Sequence, residues 1–348
     1  MARLRKVDCS GPGLRRRRRG KGFEILDEDG DRVTDTEVIE RIAALAIPPA
    51  WEDVWICPYP MGHIQATGID ARGRKQYRYH DKWRERADQR KFDDMTAFAR
   101  SLPRMRRRVA RDLAGKGMTR ERVLASAVRL LDRGFFRVGG EDYAVENESY
   151  GLATLHKRHV TLRGDTLRFD YPAKSGQRRV QHIVDPEVRD VVARLKKRRG
   201  GGEELLAYKD GRRWVDLKSA DINAYVKEVT GGDFTAKDFR TWNATVLAAV
   251  ALAVSGPAAS KSKTARKRAI TRAVKEVAHY LGNTPAVCRA SYIDPRVFDR
   301  YEDGFTIGGV LTDIGEEGDI ESLHGSAEDA VLDLIAEPED SDAIEKVA

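Results

Sequence analysis

The feature that most constrains this chain is a change of hydrophobic period near residue 80. Residues 23–79 alternate and turn. Beyond Asp81, apolar residues recur three and four apart, as Val123, Ala127, Leu131 and Phe135 do, and that spacing builds a helix face. Only residues 158–184 interrupt the helical pattern, with three alternating runs joined by Gly164-Asp165 and by residues 173–177. A 348-residue chain is too long for one ordinary core. The expectation is therefore an α+β protein. A small antiparallel sheet with helices comes first, followed by a larger, mainly helical body containing a three-stranded hairpin sheet.

The turn chemistry fills in the elements. Phe23-Glu24-Ile25-Leu26, an Asp/Gly-rich turn and Arg32-Val33-Thr34 read as a hairpin. A helix over 36–46 is stopped by Pro48-Pro49, and strands follow at 51–59, 63–70 and 76–80. A charged helix over 81–101 carries the junction. Thr119 caps a helix that delivers Arg137 at its end. Helices are expected at 186–197 and 219–230. Residues 242–254 are apolar on nearly every side, which predicts a buried helix. Residues 261–267 read as a basic linker. Ile270, Val274, Val277 and Leu281 then form one face ended by Gly282, after which Asn283 or Thr284 caps a turn with Pro285 at its first position. Four regions result: a basic arm (1–20), a β-rich domain (21–90), a mainly helical domain (91–305) and an acidic, flexible tail (306–348) whose Val331–Ile335 patch can dock.

Charge narrows the partner. The net charge of +8 conceals about +22 on residues 1–301, because the rest holds about fifteen acidic side chains and one basic. Such a body suits a polyanion, with affinity falling steeply as salt rises. Cys9, Cys57 and Cys288 form no C-x-x-C pair, which fits a reducing cytoplasm rather than a disulfide framework. No apolar run approaches the ~20 residues that span a bilayer. The first residues lack a signal core, and no G-x-x-x-x-G-K-[ST] loop is present. His80, His156, His159 and His279 lack metal-ligand spacing. No cofactor or metal is expected.

Five side chains, in order, carry the chemistry: Arg137, Lys174, Arg240, Asn283 and Tyr292. A phenol can attack phosphorus if nearby positive charge lowers its pKa. Guanidinium groups stay charged and grip two phosphate oxygens. A leaving 5′-oxygen needs a proton, and Lys174, on a hairpin tip beside two arginines, can give one. Asn283 can donate to a non-bridging oxygen. Taken singly, each has an ordinary explanation: solvated arginines, a turn lysine, a helix-capping asparagine, a core tyrosine. The ordered set is what points to strand transfer.

The same residues carry a resemblance. From about 23 to 301 the chain resembles the small type IB DNA topoisomerases of poxviruses and bacteria. The matching stretches are Gly73-Arg74-Lys75-Gln76-Tyr77-Arg78-Tyr79, Phe136-Arg137, residues 146–155, Lys174-Ser175-Gly176, Lys237-Asp238-Phe239-Arg240, and Gly282-Asn283-Thr284-Pro285 with Ser291-Tyr292. The resemblance implies that these five residues cleave and rejoin one strand through a 3′-phosphotyrosine, relaxing supercoils without ATP or metal. Asn283 departs from the viral histidine, so it can hydrogen bond but not titrate. The resemblance also implies that Gln76, Tyr77, Tyr79 and Tyr143 contact DNA. Arg74 and Lys75, interleaved with the aromatics, suit phosphate contacts. A monomeric two-domain clamp on duplex DNA, cytoplasmic and nucleoid-associated, is the expected form. The rivals are a tyrosine recombinase, which usually carries His-x-x-Arg where this chain has Lys237–Arg240, and a non-catalytic nucleoid-binding protein using the arginine arm. If the tail competes with DNA, deletion beyond Gly308 tightens binding.

Overall fold

The computed structural model describes residues 3–141, 144–145, 148–255, 262–311, 324–336 and 341–347. The chain divides into two compact units, Met1–Phe92 and Asp93–Ala348.

The first unit is a five-stranded antiparallel sheet in the order β2-β1-β3-β4-β5. Its strands are β1 Leu14–Arg19, β2 Gly22–Leu26, β3 Glu52–Ile56, β4 Ile64–Ile69 and β5 Lys75–Tyr79, with helix α1 Thr36–Ala44 between β2 and β3. Alternation decides which side chains meet. Val54, Ile56 and Ala66 pack with Ile42 of α1, joined by Leu14, Ile25 and Trp51. Trp55, Cys57 and Ile64 form a second cluster with Val7 and Cys9.

Residues 14–19 of the basic arm form strand β1, paired with both β2 and β3. Leu14 enters the core, and Arg16 donates to the carbonyls of Ile47, Pro48 and Trp51 at 3.2, 3.0 and 2.6 Å. The upstream residues are also held, since Arg5 bridges to Gly62 and lies 3.7 Å from the Tyr59 ring centroid. Arginines look solvated in a sequence, yet their stems and forks can cover a sheet face. The expected 23–34 hairpin survives only as a Leu26–Arg32 bridge, because β2 takes β1 as its main partner.

The second unit begins within helix α2, Asp81–Leu113, which runs twelve residues past its expected end and absorbs Pro103. Helix α3, Arg120–Arg133, is capped by the Thr119 hydroxyl, which accepts from the Arg122 N–H at 3.3 Å. It stops before Arg137, so that residue lies in the extended segment after Gly134 rather than on the helix. The interruption at 158–184 is the three-stranded antiparallel sheet β6 Val160–Arg163, β7 Thr166–Pro172 and β8 Arg178–Val184, as expected. Helix α4, Pro186–Lys197, starts at Asp185, whose carboxylate accepts from the Val188 N–H. A short hairpin, β9 Ala207–Asp210 with β10 Arg213–Asp216, was not legible among the glycines.

Helices α5 Ser219–Thr230 and α6 Ala236–Val254 follow. As its composition predicts, α6 is buried on nearly every side, and α3, α5 and the next helix pack around it. That helix, α7 Lys263–Leu281, starts inside the expected basic linker, with the Ser262 hydroxyl as its cap. Short helices α8 Pro285–Ser291 and α9 Pro295–Glu302 follow, capped by Thr284 and Asp294. Two-residue strands β11 Phe305–Thr306 and β12 Glu345–Lys346 pair further on.

Part of the acidic tail is folded onto the helical body rather than free. Residues 326–336 form helix α10, Ser326–Ala336, packed on α6 and α9 with Ala330, Val331 and Leu334 buried. Its Glu328 is also buried and accepts from Arg106 of α2 at 2.6 and 2.9 Å and from the Trp242 indole at 3.0 Å. Arg106 also binds Asp132. The patch expected to dock does so, and it brings a carboxylate into the core.

Candidate active site

The site is built around the end of α7. A helix leaves its last carbonyls without intrahelical donors. Here Gly282 turns the chain with φ 62°, the left-handed conformation that favours glycine, and the next residue is Asn283. Arg240, from the first turns of α6, donates to the Leu281 carbonyl at 3.0 Å and to that of Phe135. Arg137 donates to the Gly282 carbonyl at 3.1 Å and to the side-chain oxygen of Asn283. The negative end of the helix dipole favours cations at this position.

Arg137 is placed by a glycine crossing. Its carbonyl and that of Val138 accept from the Leu152 and Ala153 N–H groups at 2.8 and 2.7 Å. A Cβ on Gly151 would lie 2.4 Å from the Gly139 backbone and 2.8 Å from the Arg137 oxygen. Only a hydrogen fits there.

Tyr292 follows α8 as its terminal residue, its N–H donating to the Cys288 carbonyl at 3.0 Å. The Thr245 hydroxyl fixes the next turn by accepting from the Asp294 N–H at 3.1 Å. The Arg240 guanidinium carbon lies 5.3 Å from the Tyr292 ring centroid. Burial raises the phenol pKa, but the Arg240 charge, hydrogen bonding from Asn283 and the Arg137 charge outweigh it, so the hydroxyl lies below the ordinary tyrosine range. Arg240 is 3% exposed, and burial, with Arg137 nearby, pushes it down to about 10. It remains a cation at neutral pH. Its Nε–H is buried without an acceptor among the described residues.

Lys174 sits in the turn joining β7 to β8, exposed, beside Ser175 in the left-handed region at φ 65°. It lines one cleft of about 350 Å³ with Arg137, Tyr150, Lys237, Arg240 and Tyr292. Four of the five candidates thus share a cleft, and Asn283 joins them through Arg137. The arrangement offers a half-buried phenol beside two guanidinium groups and a lysine.

The candidates in the first unit divide by strand face. Lys75, Tyr77 and Tyr79 are exposed on β5, with the two rings stacked 5.9 Å apart and the Lys75 ammonium 5.8 Å from Tyr77. Gln76 alternates to the other side and donates to Asp70 at 2.9 Å. Arg74 donates to the same carboxylate at 2.9 and 2.7 Å, which holds Asp70 down at about 2. Tyr143 lies outside the described residues. His159 stacks on His156 at 5.2 Å, and burial pushes it down to about 4. Cys288 is buried and raised to about 11.

Sequence reasoning missed Thr245 and Arg179. Neither has a local signature, since each acts by touching a backbone distant in sequence.

Known proteins are similar to this chain over most of its length. Residues 80–306 match the family described as eukaryotic DNA topoisomerase I, catalytic core, and residues 22–70 match the N-terminal domain of bacterial DNA topoisomerase IB. DNA topoisomerase 1B of Acanthamoeba polyphaga mimivirus is 33% identical over 296 residues, 83% of this chain and 88% of that protein. DNA topoisomerase 1 of Daucus carota is 31% identical over 138 residues, 39% of this chain and 16% of that protein. With an N-terminal sheet and a helical body both matched by family and both folded as described, the chain belongs to the type IB DNA topoisomerases.

Proposed function

We propose that this protein relaxes supercoiled DNA by cutting and resealing one strand through a tyrosine ester. The observation that carries the reading is the convergence of Arg137, Lys174, Arg240 and Tyr292 on one cleft, with the phenol pKa lowered there. The Tyr292 oxygen attacks a backbone phosphorus and its proton passes to solvent. The bond from phosphorus to the 5′-oxygen breaks, and Lys174 protonates that leaving oxygen. The products are a 3′-phosphotyrosine and a 5′-hydroxyl. Arg137 and Arg240 neutralise the charge that builds on the non-bridging oxygens, and Asn283 adds a hydrogen bond.

The cut strand turns about its partner, and the 5′-hydroxyl then reverses the attack. One phosphodiester replaces another of similar energy, so no ATP is consumed, and the guanidinium groups supply the charge stabilisation otherwise given by a metal. All five groups come from one chain, so a monomer suffices. Lys75, Tyr77 and Tyr79 present a cationic, aromatic face for duplex contact.

The test is relaxation of supercoiled plasmid by the full chain in EDTA without nucleotide. Relaxation by the wild type and none by Tyr292→Phe is the expected result. Activity retained in Tyr292→Phe overturns the reading.

A further inference from the structure

The last four carbonyls around the α7 terminus, those of His279, Tyr280, Leu281 and Gly282, each accept from an arginine of another element. Arg240 takes Leu281 and Arg137 takes Gly282. The first two go to Arg179 of β8, whose Nη1 donates to the His279 oxygen at 3.1 Å and whose Nη2 donates to the Tyr280 oxygen. Among the described residues, the oxygens that accept from these three arginines are carbonyl, amide and phenol oxygens rather than carboxylates. Three cations held this close raise one another's energy unless each is fixed by its own acceptors.

Arg179 differs from the other two in position. It does not line the cleft that contains Tyr292, but a neighbouring cavity of about 480 Å³ with Phe135, His182, His279 and Tyr280. Its contact is close on the glycine side too, since a Cβ on Gly282 would lie 3.0 Å from its Nη1. In sequence it stands five residues after Lys174, on the strand that leaves the lysine turn. One planar fork therefore joins the hairpin bearing Lys174 to the helix end that presents Asn283 and receives Arg137 and Arg240.

We propose that Arg179 is a positioning residue for strand transfer, registering the lysine hairpin against the end of α7 so that all five groups meet one phosphorus. This rests on the function proposed above. The fork is required because it reaches two successive carbonyls at once, and an ammonium cannot reproduce that planar geometry. Its removal leaves the DNA-facing surface intact but loosens the reacting groups, and displacement of about 1 Å costs on the order of 100-fold in rate.

The experiment is single-turnover formation of the covalent adduct on a duplex whose cut strand cannot religate, alongside duplex affinity at several salt concentrations. Arg179→Ala and Arg179→Lys are compared with wild type, each with and without Asn283→Ala. The expected result is adduct formation about 10- to 100-fold slower in both single variants, with affinity within about threefold and an unchanged salt slope. Against Asn283→Ala, the Arg179 substitutions cost less than about a third of that factor, because they act through the same helix end. Three results overturn the inference: cleavage within twofold of wild type, full rescue by Arg179→Lys, or a loss confined to affinity with a shallower salt slope. The last two would make Arg179 a phosphate-steering charge. Absence of any adduct in the wild type would instead remove the proposed function, and this inference with it.

Discussion

At the scale of single residues, environment sets what Tyr292 and His159 can do. Burial raises the Tyr292 phenol and the charges of Arg240 and Arg137, with Asn283, bring it down further than burial raised it. Ionisation is therefore reached at lower pH than in free tyrosine. The ascending limb of the cleavage rate should lie below pH 10 and move upward in Arg240→Gln, which should also slow cleavage by about 100-fold or more. Single-turnover rates between pH 6 and 10 check both. His159 gives a stability prediction of known sign. Burial depresses it from 6.5 to about 4, so the unfolded chain binds its proton first as pH falls. Its contribution is present above pH 6.5 and is lost between 6.5 and about 4, on the order of 2–3 kcal/mol. Urea unfolding at pH 7.5 and 4.5 should show a drop that shrinks in His159→Asn. The five candidates stand out in sequence only as an ordered set, and four of them line one cleft. Arg179 and Thr245 were not legible, because a donor to a remote carbonyl looks like any other side chain.

Among the elements, period and caps were readable, while pairing was not. Thr119 and Pro285 mark their helices where sequence places them, because such start signals act within a few residues. Strand β1 was hidden because five successive arginines mask its alternation, although Arg16 spends its fork on three carbonyls. The length of α2 past Ser101 was hidden because Pro103 reads as a stop. The end of α3 was set by Gly134, and the glycine crossing of 139 over 151 was invisible, since it joins two loops. That crossing makes a sharp prediction. Gly151→Ala forces a Cβ to 2.4 Å from backbone that cannot yield as a side chain would. The expected cost is about 2–3 kcal/mol or more by chemical denaturation, with cleavage reduced further because the Arg137 backbone is displaced. Stability and rate both within error of wild type would contradict it.

For the whole molecule, the sequence separated a sheet unit from a helical unit, and that division follows from composition and period. The tail did not follow. Its charge argued for a free competitor of DNA, but Glu328 is drawn into the core by Arg106 and Trp242, and the apolar side of α10 covers α6. Arg240 and Trp242 lie on one helix, so α10 braces the element that carries the Arg240 guanidinium. Glu328→Ala should cost about 3 kcal/mol in urea unfolding, because it strips acceptors from a half-buried guanidinium and a buried indole. Glu328→Gln should cost less. Deletion beyond Gly308 should therefore lower stability rather than simply tighten DNA binding. The proposed reaction joins one phenol to the 3′ side of a cut strand. The most direct measurement is mass spectrometry of the peptide left attached to DNA when wild-type protein is denatured during reaction. A single DNA-bearing peptide, modified at Tyr292 through a 3′-phosphate, is predicted. Attachment at another residue, or through a 5′-phosphate, would contradict it.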